Sequence, residues 1–258
     1  MSASSHLRAI TARTNPLVQA AVRLHRTRDR ARTGRWLAEG PHAVRGALAA
    51  AAVETLFVVD DTAAAANVDT VLVTDDVMAK IVTTRTHQGI AAICRRPSPV
   101  TDIPDNAPVL CLVQAADPGN VGTAVRTAAH AGFAAVVLTE GSADPFSPRA
   151  VRAAAGALPT MPVIEGLAVD DLGAAVPSTR LVALDSSGTR SVFEDLPEAP
   201  VLVFGSEAHG LDDELLTRVA DIRVIPQHGG QGVLDSLNLA AAVAIATYAA
   251  ARSNGDRR

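Results

Sequence analysis

The stretch ADPGNVGTAVRTAAHAG, at positions 116–132, decides the fold, because an apolar run ends just before it and a turn then leads into a helical pattern. Two later stretches repeat that arrangement, VFGSEAHGL at 203–211 and VIPQHGGQGVLDSLNLAAAVAIATYA at 224–249. Each carries polar residues just past an apolar run. The carboxyl ends of parallel strands border one crevice in an open α/β sheet. The three stretches therefore predict one ligand site built from three strand ends.

The chain after position 108 alternates short apolar runs with helical patterns. The predicted strands are VLCLVQ (109–114), AAVVLTE (134–140), RLVALD (180–185), VLVFG (201–205) and IRVIP (222–226). The predicted helices occupy 120–131, 147–156, 211–219 and 237–251. Apolar strands that alternate with helices are typical of a parallel sheet buried on both faces. We therefore predict an α/β domain with a parallel sheet over 109–258.

The segment RRPSPVTDIPDNAP contains four prolines, Pro97, Pro99, Pro104 and Pro108, which neither a helix nor a central strand tolerates. It divides the chain into a small α/β domain over 1–100, a Pro-rich linker over 101–108 and the second domain over 109–258. In the first domain, patterns predict helices and strands in alternation. The helices are expected at 17–32 and 74–82, and the strands at 55–59, 70–73 and 89–94.

The charge of the chain is distributed unevenly. Its net charge is −4, but residues 1–100 contain 13 Lys and Arg against 8 Asp and Glu, whereas residues 101–258 contain 10 against 19. Residues 1–35 alone contain eight Arg and one Asp. A basic N-terminal region in an otherwise acidic chain predicts that this region contacts a polyanion.

Several classes of protein are disfavoured by what the chain contains. Cys94 and Cys111 lie in apolar runs without metal-ligand spacing and are predicted to be buried thiols, and the seven His show no zinc-binding pattern. Neither a GxGxxG fingerprint after an early strand nor a GxxxxGK[ST] loop occurs. The N-terminus lacks a secretory apolar core, and no apolar run is long enough for a membrane span, so we expect a soluble cytoplasmic protein.

Polar residues at the three strand ends are the candidates for chemistry. Asn120 is interpreted as the N-cap of the first helix, with Arg126 nearly two turns further along on a similar side. Glu207 is placed at the edge of the sheet, and Ser236 and Asn238 precede the last helix. Each of these residues alone also fits a structural role, as a helix cap or a surface charge. Their combination favours a site.

The three stretches together resemble the SpoU (TrmH) family of knotted RNA ribose methyltransferases, and the resemblance covers nearly the whole chain. It implies a C-terminal domain with a deep trefoil knot and an N-terminal RNA-binding domain similar to a small ribosomal protein. It also implies transfer of a methyl group from S-adenosylmethionine to a ribose 2′-hydroxyl, and a homodimer whose active site forms at the subunit interface, crossed by Arg126. Subfamilies with such an N-terminal extension, including thiostrepton-resistance methyltransferases, act on large-subunit ribosomal RNA.

The resemblance assigns roles to individual positions. The positions matching the polar active-site residues of the family are Asn120, Arg126, Glu207, Ser236 and Asn238. Those matching its cofactor-binding positions are Gly205, Ile225 and Leu237. Arginines in the basic N-terminal run are expected to contact RNA through phosphates and shape, since no aromatic residues are interleaved with them: Arg23, Arg26, Arg28, Arg30 and Arg35.

The chain departs from the family pattern around its third motif. Gln227 stands where Met is common, and the loop from there to Asp235 is about three residues longer than usual, which bears on cofactor binding. Two alternatives therefore stay open beside a ribosomal RNA methyltransferase. One is a transfer-RNA 2′-O-methyltransferase, and the other is a non-catalytic RNA-binding factor in ribosome assembly.

Overall fold

A computed structural model describes residues 8–63, 65, 67–229 and 236–255. The chain forms two compact units, Met1–Ser98 with Asp144–Thr160, and Pro99–Ala143 with Met161–Arg258. The first boundary, between Ser98 and Pro99, lies within the four-proline segment and just before the predicted linker over 101–108. The second was not expected, because the contiguous division made from the sequence placed residues 144–160 in the C-terminal domain.

The first unit contains a mixed five-stranded sheet. Its strands are β1 (Arg8–Ile10), β2 (Arg35–Glu39), β3 (Val53–Val58), β4 (Asp69–Val73) and β5 (Ile90–Arg95), in the order β1-β4-β3-β5-β2. Its helices are α1 (Pro16–Arg23), α2 (Thr27–Thr33), α3 (Gly40–Ala49), α4 (Asp75–Ile81) and α6 (Pro148–Ala154). Strand β5 is antiparallel to both β2 and β3, and the remaining pairs are parallel. The two short strands β1 and β2 were not predicted.

The helix predicted over 17–32 is two helices in the structure. The backbone leaves the helix after Arg23, and the carbonyl of Leu24 accepts a hydrogen bond of 2.8 Å from Nη1 of Arg30. The ring Nε2 of His25 lies 2.7 Å from the carbonyl oxygen of Ile81. The break thus depends on side-chain contacts, one of them with Ile81 far along the chain, and the periodicity of the segment alone did not reveal it.

Residues 144–160 pack tightly within the first unit. Asp144 forms an ion pair of 2.7 Å with Arg30, and the rings of Trp36 and Phe146 lie 5.8 Å apart. A Cβ added to Gly46 on α3 would meet the carbonyl oxygen of Gly156 at 2.1 Å. Only glycine allows such a close backbone approach, so this segment is held by steric fit as well as by charge.

The second unit contains a seven-stranded sheet in which every pair of neighbours is parallel. Its strands are β6 (Val109–Leu112), β7 (Ala135–Thr139), β8 (Val163–Leu167), β9 (Leu181–Leu184), β10 (Arg190–Ser191), β11 (Val201–Phe204) and β12 (Asp221–Val224). Its helices are α5 (Pro118–His130), α7 (Leu172–Ala175), α8 (Asp213–Arg218) and α9 (Leu239–Gly255). The predicted parallel α/β architecture is confirmed, although β8 and the two-residue β10 at the sheet edges were missed.

In the strand order β10-β12-β9-β11-β6-β7-β8, the side on which new strands are added reverses beside β6. This position is the topological switch point of the sheet. From β6 the chain builds outward through β7 and β8, and it then crosses to the other side of β6 to form β9 to β12. Strands β6 and β11 are therefore neighbours, with Leu112 opposite Phe204. Open α/β sheets bind ligands in the crevice at the carboxyl ends of strands beside such a switch.

The core of the second unit is made of small aliphatic side chains. Val109, Cys111, Val201 and Val203 on the two central strands are fully buried. Cys94 in the first unit is fully buried as well, so the prediction of buried thiols is confirmed for both cysteines. Within the described ranges, no helix is both long enough and apolar enough to cross a membrane.

Candidate active site

The loop after β6 presents the side chain of Asn120 to the crevice. The N-cap of α5 is Asp117, whose carboxylate accepts a hydrogen bond of 3.0 Å from the backbone N–H of Asn120, and Pro118 is the first helical residue. The interpretation of Asn120 as the N-cap was therefore wrong. The Asp117-Pro118 pair could have indicated that Asp117 is the cap, because proline favours the first position of a helix. With Asp117 as the cap, the amide of Asn120 is available for other contacts.

Three of the predicted residues form a continuous chain of hydrogen bonds. Nδ2 of Asn120 donates to Oε1 of Glu207 at 2.8 Å, and Nδ2 of Asn238 donates to Oδ1 of Asn120 at 3.3 Å. The second oxygen of Glu207 accepts from the backbone N–H of Ala116 at 3.3 Å. Oδ1 of Asn238 accepts from the N–H of Ala240 at 3.0 Å and so caps α9. Residues from all three sequence stretches thus meet at the strand ends.

The environment of Glu207 favours its ionised form. Partial desolvation would raise the pKa of this carboxyl, but hydrogen bonds from the Asn120 side chain and from backbone N–H groups, including that of Ala116, outweigh it, so the net pKa is lowered. Hydrogen bonds to a carboxylate stabilise its charged form. Glu207 therefore acts as a fixed negative acceptor that orients Asn120, and it carries no proton near neutral pH.

The loop after β11 explains why position 205 is glycine. A Cβ added to Gly205 would lie 2.0 Å from the carbonyl carbon of Gly210, because Ser206 and Gly210 pair as an isolated β-bridge. The family resemblance assigns Gly205 to the cofactor-binding positions. The structure shows that its missing side chain is first required by the tight loop that holds Glu207.

Arg126 and Ser236 lie outside this hydrogen-bonded chain. Both are exposed, and among the described residues no hydrogen bond joins either of them to Asn120, Glu207 or Asn238. Six residues of an α-helix turn by about 600°, which places Arg126 roughly 120° around α5 from Asn120. The expectation of a similar helix side was therefore wrong. Arg126 projects from the exposed side of the helix.

The predicted cofactor positions follow two of the strand ends. Ile225 comes directly after β12 and is half-buried, and the apolar side chain of Leu237 is 51% exposed. The lengthened loop lies in part outside the described residues, which resume at Ser236. An exposed apolar side chain near strand ends suits a ligand that has an apolar ring.

One backbone feature of the site could not be inferred from the sequence pattern. Gln114, just after β6, has a φ of +50°, and its N–H donates to the hydroxyl of Thr139 at 2.9 Å. A left-handed conformation is unfavourable for a non-glycine residue and persists where surrounding contacts impose it. Here it redirects the chain toward Ala116, whose N–H binds Glu207.

The basic N-terminal residues separate into two groups. Arg23, Arg26, Arg28 and Arg35 are exposed, and Arg35 also forms an ion pair with Glu54. Arg30 is only 1% exposed. Its guanidinium donates to Asp144, to the carbonyl of Leu24 and to the hydroxyl of Thr27. The prediction that Arg30 contacts RNA was wrong, because its donors are used to hold the first unit together.

The fold and the site define an α/β protein in which two amides and one carboxylate meet at the switch point of a parallel sheet. In the described part of the chain, no group of three or more His, Cys, Asp or Glu side chains is placed to hold a metal ion. Comparison with known proteins identifies the family. Residues 107–248 match the SpoU rRNA Methylase family, and residues 15–92 match the MRM3-like substrate binding domain. The chain belongs to the SpoU rRNA methylase family.

Individual relatives cover nearly the whole chain. It is 31% identical over 252 residues to the 23S rRNA (guanosine(2553)-2′-O)-methyltransferase RlmP of Bacillus subtilis, covering 94% of this chain and 98% of that protein. The AdoMet-bound rRNA methyltransferase of Sinorhizobium meliloti has a TM-score of 0.81 and 30% identity, with 95% and 98% of the two chains covered. The AdoMet complex of AviRb from Streptomyces viridochromogenes, at 22% identity, supports the fold alone, with a TM-score of 0.80 and 95% and 100% covered.

These comparisons confirm the class of protein predicted from the sequence. The family membership makes the chain a methyltransferase, and the AdoMet-bound relatives support S-adenosylmethionine as its cofactor. The match to the MRM3-like substrate binding domain, over residues 15–92, precedes the methylase match in the chain. The roles of the individual site residues do not follow from membership and are part of the proposal below.

Proposed function

We propose that this protein transfers a methyl group from S-adenosylmethionine to a ribose 2′-hydroxyl of large-subunit ribosomal RNA. The observation that carries the proposal is the hydrogen-bonded chain of Glu207, Asn120 and Asn238 at the switch point of the parallel sheet. The full-length match to a relative named as a 23S rRNA 2′-O-methyltransferase supports the choice of substrate.

The cofactor would lie against the ends of β11 and β12. S-adenosylmethionine, when bound, supplies an electrophilic methyl group on a positively charged sulfur. In the proposed site, backbone groups at Gly205 and Ile225 hold its polar edges, and the exposed side chain of Leu237 covers an apolar part. The ionised Glu207 keeps the Asn120 amide in a single orientation beside them.

The hydroxyl to be methylated needs positioning and a loss of its proton as the new bond forms. In our proposal Asn238 and Ser236 orient the ribose hydroxyl. The guanidinium of Arg126, which stays protonated, orients the adjacent phosphate and stabilises negative charge that develops on the oxygen. The exposed position of Arg126, without a protein partner among the described residues, is compatible with this role.

The RNA would be held mainly by charge. Four exposed arginines remain from the predicted set after Arg30 is removed: Arg23, Arg26, Arg28 and Arg35. They belong to the unit that contains the substrate-binding match. Guanidinium groups bind RNA phosphates without reading bases, so these contacts are expected to contribute affinity and salt dependence.

We also propose a homodimer in which Arg126 of one subunit reaches the site of the other. The exposed sides of α5 and α9 support this. The rings of His130 and Tyr248 lie 6.1 Å apart, and Tyr248 is 51% exposed. Exposed aromatic residues are enriched at protein interfaces. The deep trefoil knot and a cytoplasmic location belong to the same proposal, and they rest on the family and on a ribosomal RNA substrate.

The proposal is tested by methyl transfer from labelled S-adenosylmethionine to ribosomal RNA and to transfer RNA, followed by mapping of the product. Three proteins are compared: the wild type, Asn120→Ala, and Asn106→Ala as a matched control at an exposed position. We expect label in a 2′-O-methylated nucleotide of large-subunit RNA with the wild type and the control, and loss of label with Asn120→Ala.

Two results would overturn the proposal. Label only in transfer RNA would identify the second substrate class. Tight RNA binding without transfer to any RNA would identify a non-catalytic binding protein. The dimer is tested separately by mixing Arg126→Ala with Asn120→Ala, because heterodimers restore one complete site only if Arg126 acts across the interface.

A further inference from the structure

Two hydroxyl side chains, at and just after the end of β7, hold the loop that follows β6. The N–H of Gln114 donates to Oγ1 of Thr139 at 2.9 Å, and the N–H of Ala115 donates to Oγ of Ser142 at 3.2 Å. The carbonyl oxygen of Ala115 accepts from the N–H of Ala143 at 2.8 Å. Thr139 is the last residue of β7 and is only 2% exposed. Because its side chain is buried, its influence on a bound ligand passes through the loop.

The same loop carries the N–H group that binds Glu207. Ala116 is the next residue along the chain, and its N–H donates to Oε2 of Glu207 at 3.3 Å. Oε1 of that carboxylate accepts from the amide of Asn120 at 2.8 Å. Peptide groups are rigid planes joined by two soft dihedrals per residue. The direction of the Ala116 N–H therefore depends on the two preceding peptide groups, which the hydroxyls of Thr139 and Ser142 fix.

The backbone conformation at Gln114 depends on these contacts. Its φ of +50° is left-handed, and a non-glycine residue keeps such a conformation where surrounding contacts impose it. The hydroxyl of Ser142 adds a second constraint, because it also donates to the carbonyl of Leu112 at 3.5 Å, on the other side of Gln114. Without the Thr139 hydroxyl, the N–H of Gln114 loses its acceptor. Relaxation of φ toward the ordinary region would then turn the following N–H groups away from Glu207.

We propose that Thr139 and Ser142 are positioning residues of the methyltransferase site, which act through the loop after β6 on Glu207 and Asn120. The inference rests on the proposed function, because it assigns the orientation of the Asn120 amide to two residues behind the site. An effect through Asn120 falls on the methyl-transfer step, whereas RNA affinity is attributed to the exposed arginines of the first unit. The expected signature is a lower kcat at an unchanged KM for RNA.

The test measures methyl transfer by the full-length protein over a range of ribosomal RNA concentrations. Thr139→Val removes the hydroxyl and should lower kcat by roughly tenfold, since small misplacements of positioned groups have effects of this order. Thr139→Ser keeps the hydroxyl and should restore kcat to near the wild-type value. Thr70→Val is the matched control, because Thr70 is also buried in a strand and its hydroxyl also forms a hydrogen bond, to the carbonyl of Val68 at 3.1 Å. It should leave kcat unchanged.

A double-mutant cycle identifies the route of the effect. In the Glu207→Gln background, Thr139→Val should have little further effect, because the orientation of Asn120 is already lost. A merely structural role gives effects that multiply. Ser142→Ala, at a half-buried position, carries less risk to folding and should lower kcat in the same way. An unchanged kcat in both variants, or effects that multiply in the cycle, would overturn the proposal.

A spectroscopic measurement keeps failure of this inference distinguishable from failure of the proposed function. In protein that contains isotope-labelled asparagine, the side-chain amide resonance of Asn120 is identified by its absence in Asn120→Ala, and it reports the hydrogen bond to Glu207. Thr139→Val should shift this resonance in the same direction as Glu207→Gln, and Thr139→Ser should leave it in place.

Two combinations of results separate the two proposals. The shift in Thr139→Val, in a protein without methyl transfer, would support the positioning of Asn120 and overturn the assignment of catalysis. Methyl transfer by the wild type, with an unshifted resonance and an unchanged kcat in Thr139→Val, would overturn the inference and leave the enzyme assignment standing.

Discussion

Asn120 and Glu207, 87 residues apart in the chain, are joined by a hydrogen bond of 2.8 Å between Nδ2 and Oε1. Each follows one of two neighbouring parallel strands, β6 and β11, at the point where the order in which strands are added to the sheet reverses. The bond therefore links two of the three sequence stretches that form the crevice, and Asn238 adds the third by donating to Asn120.

The first prediction concerns the carboxylate of Glu207. In Glu207→Gln, an amide nitrogen replaces one carboxylate oxygen, so either Asn120 or the N–H of Ala116 loses its acceptor. Methyl transfer should fall by about a hundredfold, since small displacements of positioning groups have effects of that size. The measurement is the rate of label transfer to RNA. Glu198→Gln, at an exposed position, is the control, and equal rates for both variants would contradict the positioning role.

The second prediction concerns pH. The lowered pKa of Glu207 means that its contribution to stability is fully present above the unfolded pKa and is lost as pH falls through the folded value. The difference in melting temperature between the wild type and Glu207→Gln should therefore be constant from about pH 6 to 8. It should shrink below about pH 4, near the ordinary range of Glu. A difference that shrinks already at pH 6 would mean that the pKa is raised.

The third prediction concerns the two cysteines. Burial raises the pKa of the Cys111 thiol to about 12, and the pKa of Cys94 is raised to about 12 mainly by the same cause. The thiolate is the reactive form. Neither cysteine should react with a disulfide reagent in the native protein at pH 8, and both should react in denaturant. Rapid labelling of the native protein would show that one of the two cores opens readily.

The fourth prediction concerns the exposed arginines. The double substitution of Arg26 and Arg28 by Ala should reduce the slope of log affinity against log salt by about 1.4 to 1.8, because each phosphate contact contributes roughly 0.7 to 0.9. RNA binding measured at several salt concentrations gives the slope. An unchanged slope would remove these two residues from the RNA contacts.

The fifth prediction separates Arg30 from its exposed neighbours. Arg30→Ala leaves Asp144 without its partner at 2.7 Å and removes donors from Leu24 and Thr27. Breaking one side of a buried ion pair costs about 3–5 kcal/mol. The free energy of unfolding, measured with denaturant, should fall accordingly, whereas Arg28→Ala should leave it nearly unchanged. Equal stability of the two variants would contradict the structural role.

In the N-terminal segment, the sequence pattern did not distinguish the buried arginine from the exposed ones. Charge counting grouped Arg30 with Arg26 and Arg28 because all three lie within five residues, yet the structure buries one and exposes the others. The partner of Arg30 is Asp144, 114 residues away. Nothing in the local sequence marks such a pair, and the same applies to the grouping of Asp144–Thr160 with the first unit.

The sequence by itself determined the alternation of strands and helices, the parallel sheet of the second unit and the three stretches at its strand ends. These features follow from local periodicity and from turn residues, which depend on neighbours along the chain. Only the tertiary structure decided that Asp117 caps α5, that Asn120 binds Glu207 and Asn238, and that Arg126 is exposed outside this hydrogen-bonded chain. Those outcomes depend on strand order and on which side chains meet across long separations, and local patterns do not encode either.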